Sequence, residues 1–137
     1  MKRILLQLFI VPAIILGIGS CSDKGGGATS EASLTVTLNP PVNSFQSAAP
    51  QTDFPLTVSI SSTMPSQGVT IDVVVKKDDG SGATVFTANN PGTTSANTNF
   101  TITGTPIGVV CVTTVTVTSK TQATNTWTGS YRYSRKA

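Results

Sequence analysis

From residue 33 to the end, apolar and polar residues alternate with a period of two, and the apolar positions are mostly β-branched. Leu34, Val36 and Leu38 share one face of a first strand, with Thr35 and Thr37 opposite. Leu56, Val58 and Ile60 mark a second strand, and Val69, Ile71, Val73 and Val75 a third. A shorter strand is expected at Thr84–Thr87 and a fifth at Asn99–Thr103. The longest spans 109–119 and the last 125–134. No window carries a helical repeat with helix-forming residues, so the alternation leaves only all-β solutions.

The segments between these runs hold residues that stop strands. Asn39-Pro40-Pro41 closes the first, because proline has no N–H for a ladder, and Met64-Pro65 follows the second. Lys76-Lys77-Asp78-Asp79-Gly80-Ser81-Gly82 reads as a turn with Lys–Asp pairing within it, and Asn89-Asn90-Pro91-Gly92 as another. Residues 41–54 form a polar stretch that either adds an edge strand or wraps the domain, with Phe45 and Phe54 tucked against the core rim. In the longest strand the valines change parity: Val110 and Val112 lie on one face, Val115 and Val117 on the other. A bulge at Thr113-Thr114 would restore one buried face.

The first 20 residues read differently. Met1-Lys2-Arg3 is a basic start, and Ile4–Leu16 is an apolar run interrupted by Gln7 and Pro12. It is too short for a membrane span, which needs about 20 apolar residues, but suits a secretory leader. Ile18-Gly19-Ser20-Cys21 follows. An aliphatic residue, two small residues and a cysteine after such a leader resemble the lipobox of bacterial lipoproteins. That resemblance implies cleavage before Cys21, lipidation of its thiol and anchoring in a membrane, since two or three acyl chains hold a protein stably. Residues 21–32 then form the lipidated cysteine and a glycine-rich tether. Its eleven residues after Cys21 reach on the order of 20 Å. In enteric lipoproteins an aspartate directly after the cysteine favours the inner membrane; Ser22 stands there, which points to the outer membrane.

Residues 33–137 therefore make one domain. Seven short strands at regular spacing in about a hundred residues predict a seven-stranded antiparallel β-sandwich. The domain resembles the immunoglobulin-like or fibronectin-III-like modules of bacterial lipoproteins and surface proteins. It departs from the antibody subclass: Cys111 has no cysteine partner except Cys21, the one tryptophan lies in the last strand, and Val109 stands where a tyrosine corner would put Tyr. A small jelly roll or open barrel is the alternative.

The same sequence narrows the chemistry. The 137 residues contain no histidine, so neither a Ser-His-Asp nor a Cys-His arrangement can form, and the commonest metal ligand is missing. The six carboxylates are Asp23, Glu31, Asp53, Asp72, Asp78 and Asp79. Only the last two adjoin, in a turn that lacks both the opposed geometry of a glycosidase pair and calcium-loop spacing. The expectation is a non-enzyme with no cofactor, no metal and no catalytic residues. Cys111, inside a valine-rich strand, is expected in the core. Lys2 and Arg3 fall in the leader, leaving seven basic against six acidic residues, so no nucleic-acid footprint exists.

Two surface readings stay open. Trp127, Tyr131 and Tyr133 share one face of the last strand and either fill the core or, if exposed, form a sugar-stacking platform. Residues 89–98 offer a Thr/Asn-rich loop for a glycan. Arg132, Arg135 and Lys136 form a basic end that protects an edge. The expected function is an anchored interaction or accessory module of the cell envelope, with an envelope protein or a glycan as partner; a carbohydrate-binding or adhesive surface module is the alternative.

Overall fold

The computed structural model describes residues 30–137, and Cys21 with the leader lies outside them. Seven strands form: β1 (Val36–Asn39), β2 (Phe54–Ile60), β3 (Val69–Lys77), β4 (Thr84–Thr93), β5 (Asn97–Ile102), β6 (Val110–Ser119) and β7 (Thr126–Ser134). They make two antiparallel sheets, ordered β1-β2-β5 and β4-β3-β6-β7. Chain-consecutive strands change sheet at β2–β3, β4–β5 and β5–β6. This is an all-β sandwich that fits the immunoglobulin-like expectation.

The core follows from the alternation. Leu56, Val58 and Ile102 from the first sheet meet Ile71, Val73, Val75, Val115 and Val117 from the second, all essentially inaccessible to solvent. Each valine or leucine buried in this way contributes roughly 1.5–3 kcal/mol relative to exposure. The outer faces carry threonine, serine and asparagine for the most part, with Val74, Val110 and Val112 among them. Thr57 Oγ1 donates to Asn99 Oδ1 at 2.8 Å and Ser59 Oγ to Asn97 Oδ1 at 2.7 Å, cross-strand pairs that satisfy the hydroxyls on a solvated sheet.

One glycine is required. Gly68 adopts φ +76° in the turn before β3, where an added Cβ would sit only 3.0 Å from the carbonyl carbon of Thr93. Its own carbonyl accepts from Lys120 N at 3.0 Å and its N–H donates to Pro65 O at 2.9 Å, so the turn ties three connections together.

Four local expectations are corrected. β6 has no bulge: its pairing is continuous with β3 from residue 111 to 119 and with β7 from 110 to 118. Cys111, Thr113, Val115 and Val117 therefore face inward without interruption, while Val110 and Val112 are half-buried on the outer face, Val112 beside Val74. Thr113 is admitted to the core because it has valine's shape. The irregularities sit in the β3–β4 pairing instead, at Val69/Ile71 and Val75/Lys76. Secondly, Asn89-Asn90-Pro91-Gly92 is no turn: β4 is an edge strand and runs through it. Proline is tolerated on an edge. Thirdly, Phe54 is buried at the start of β2, but Phe45 is 59% exposed. Fourthly, Asp78 pairs with Arg132 across the fold, Nε to Oδ2 at 2.7 Å, rather than with a lysine of its own turn.

The Thr113 hydroxyl is buried and has no hydrogen-bond partner among the described residues. A valine there keeps the shape and removes the unpaired group. Thr113→Val is expected to leave the urea midpoint unchanged or raise it, whereas Thr113→Ala, which opens a void, lowers it by about 1–2 kcal/mol of stability. Equilibrium urea unfolding followed by Trp127 fluorescence reads both variants; a large loss in Thr113→Val would show the hydroxyl to be engaged.

Candidate functional site

The sandwich has two unlike poles. The turns 61–68 and 120–125 and the start of the domain share one of them. There Asn125 grips the incoming chain. Its Oδ1 accepts from Leu34 N at 3.0 Å, and its Nδ2 donates to Glu31 Oε2 at 2.8 Å and to Ala32 O at 2.9 Å. The fold thus takes hold of the chain at Glu31, within the stretch expected to be free tether.

At the opposite pole the chain leaves β1 at Asn39 and enters β2 at Phe54. Between them it crosses to the second sheet and runs parallel to β7. Asn43 N donates to Ser130 O at 2.7 Å, Arg132 N to Ser44 O at 2.9 Å, and Gln46 N to Arg132 O at 2.8 Å. Ala49 N donates to Ser134 O at 3.3 Å and Lys136 N to Ala49 O at 3.0 Å. The wrapping reading of 41–54 is the one realised. Its consequence is that the outer edge of β7 is paired from Ser130 to Ser134, although β7 is the last strand of its sheet.

Where this segment arches back to β2 it leaves a groove of about 290 Å³. Asn39, Gln46, Ser47, Gln51 and Thr57 supply its polar lining; Pro40, Ala49 and Pro55 supply apolar wall, and Phe54, Tyr131 and Tyr133 its buried aromatic side. No charged side chain lines it. Gln46 Nε2 donates to Ser44 Oγ at 2.8 Å, which orients the amide and leaves its oxygen as an acceptor. Phe54 and Tyr133 are tilted against each other with ring centroids 4.6 Å apart, and Tyr131 and Tyr133 at 6.0 Å.

The two tyrosines differ in how their hydroxyls are held. Tyr133 shares a 2.8 Å hydrogen bond with the buried Thr105 Oγ1. Burial pushes its phenol up to about 12, with the Thr105 hydrogen bond pulling partly back. Tyr131 is also raised by burial, and the Thr113 hydroxyl on the paired strand offsets part of that. The two groups are nonetheless out of hydrogen-bond geometry, and both hydroxyls stay unpartnered among the described residues.

The residues singled out by sequence fall as follows. Tyr131 and Tyr133 are core, 2% and 1% exposed, which removes them as an open stacking platform. Trp127 is half-buried at the rim and lies over Gly129, where an added Cβ would stand 2.8 Å from its Cζ2 and 2.7 Å from Val42 Cγ1. The proposed glycan loop 89–98 shrinks to three residues, Thr94–Ala96, between two strands. Cys111 is buried and unbridged, and burial raises its thiol. Asp72 accepts from Asn89 Nδ2 at 2.6 Å on the outer face. Asp79 Oδ1 accepts from the Ser81 hydroxyl and N–H, and these bonds hold its carboxyl below the usual range. Among the described residues no three His, Cys, Asp or Glu side chains group to hold a metal ion, and no helix is long and apolar enough to cross a membrane.

The lining of the groove was missed. Asn39, Gln46, Ser47 and Gln51 sit in a stretch with no periodicity, and only its length and its run of uncharged amides marked it.

Tyr133 yields a pH prediction. Its folded pKa lies above the ordinary 10.0, so between about 10 and 12 the unfolded chain has released a proton that the folded domain still holds. Its contribution to stability is complete below pH 10 and lost as pH rises toward 12. Thermal unfolding from pH 8 to 12 is expected to show Tm falling across that window, with a shallower fall in Tyr133→Phe. That variant also starts lower, by about 1–3 kcal/mol, because Thr105 loses its partner.

No protein-family model matches the chain, and a search of curated proteins found no significant sequence relative. What the site can do is therefore carried by its geometry.

Proposed function

We propose that this chain is a non-catalytic, lipid-anchored interaction module of the bacterial cell envelope. The anchor is Cys21, in the outer membrane, and the partner is an envelope protein or a glycan met away from the lipid surface. The observation that carries this reading is the polarity of the domain. Asn125 clamps the chain at Glu31 and Ala32 at one pole, while the uncharged groove opens at the other. Only the nine residues 22–30 separate Cys21 from that clamp, and no stretch of nine residues reaches further than about 30 Å. A domain held so closely turns its clamped pole to the membrane and its groove outward.

A glycan-binding or adhesive role is the second reading, favoured by the uncharged amide and hydroxyl lining. Its aromatic-platform form is set aside, because the tyrosines are core.

The anchoring half is tested by fractionating cells fed a labelled fatty acid. The wild-type chain is expected in the membrane fraction and labelled; Cys21→Ala is expected to lose the label and leave the membrane. Protease shaving of intact cells, with a periplasmic control protein, then reports which way the groove faces. A chain that fractionates as soluble with or without Cys21 sinks the anchor.

A further inference from the structure

We propose that the groove beneath the 40–53 arch binds a single neutral sugar unit. This deepens the reading above and rests on it only for where the sugar is met. The lining excludes the other ligand classes in turn. No lysine or arginine faces the groove, so an anion finds no counter-charge, and no carboxylate faces it, so a cation or amine finds none. The aromatic rings are all but fully buried, leaving no exposed aromatic ridge for a proline-rich peptide. Five polar side chains make the lining too wet for a fatty chain.

A neutral polyhydroxyl ring meets what remains. Asn39 and Gln51 are exposed carboxamides, each able to donate and accept at once, as vicinal sugar hydroxyls do. Gln46 keeps an acceptor oxygen while its NH₂ is tied to Ser44. Thr57 donates to Asn99 and keeps its lone pairs. Pro40, Ala49 and Pro55 give the C–H face of a ring an apolar wall. Tyr131 and Tyr133 stand behind that wall as buried ring surface. At about 290 Å³ the space lies at the small end of ligand sites and suits one ring rather than a chain.

The test titrates the full chain, extracted in detergent and labelled with ¹⁵N, with glucose, galactose and N-acetylglucosamine. Glucuronate and tetraproline serve as charged and peptide comparisons. At least one neutral sugar is expected to shift the amides of 46–51 saturably, with half-saturation at about 1–10 mM, ordinary for so small a ligand. Asn39→Ala and Gln51→Ala, both on exposed residues, are expected to keep the circular dichroism spectrum and weaken binding about tenfold. Tyr131→Phe, which removes a hydroxyl closed off from solvent, is expected to keep the fold and bind like wild type.

The proposal is overturned if none of the three sugars gives a saturable shift up to about 100 mM. It is equally overturned if glucuronate or tetraproline binds as well, or if the Asn39 and Gln51 variants bind like wild type. Because the titration is done in detergent, its failure leaves the Cys21 anchor untouched, and failure of the anchor leaves the titration untouched.

Discussion

Everything in this domain hangs on β3. With β6 it is one of the two inner strands of the larger sheet, paired to β4 on one side and β6 on the other, and each of its inward residues, Val69, Ile71, Val73 and Val75, is fully removed from solvent. Four β-branched side chains on one face fix the register, since a slip of one residue would put Thr70, Asp72 and Lys76 into the core. The pairing with β6 is unbroken, and the irregularities are pushed to the β4 side, where an edge strand can absorb them. The smaller sheet lies over this seam with Leu56, Val58 and Ile102, and its polar outer face is left to cross-strand Thr–Asn and Ser–Asn pairs.

That hierarchy explains what could be read from the sequence. Strands whose burial is decided by alternation alone, β2 and β3, are legible almost to the residue, as is the burial of Cys111, while for Tyr131 and Tyr133 the core is one of two readings the sequence leaves open. β6 was misread because hydrophobicity was taken as the criterion for burial. Thr113 shows that shape and register outrank it: with Val115 and Val117 inward and the ladder continuous, position 113 has to face in whatever it carries. β4 was cut short because Asn-Asn-Pro-Gly is a turn signal in isolation. On an edge that needs no proline N–H the strand continues through it.

The groove escaped for a different reason. Its residues come from a stretch without period, and its position is set by backbone hydrogen bonds to β7, which no side-chain pattern announces. What drives the segment there is the open edge of β7: unpaired amides and carbonyls are best satisfied by the nearest spare backbone, and residues 43–49 supply it. Phe45 is carried outward by the same pairing, beside Arg132 rather than toward the core. The groove is thus a by-product of edge protection, while its lining of amides, hydroxyls and prolines is a matter of residue choice.

The pair Thr113 and Tyr131 bears on that choice. Two facing buried hydroxyls that do not hydrogen-bond cost stability, and valine with phenylalanine would fill the same space without the cost. Tyr133, one position along the same face, shows that this core can satisfy a phenol when a partner is placed for it, as Thr105 is. Thr113 faces Tyr131 without completing such a bond. Placement of the partner, rather than burial itself, therefore decides whether a phenol in this core stabilises it or costs it.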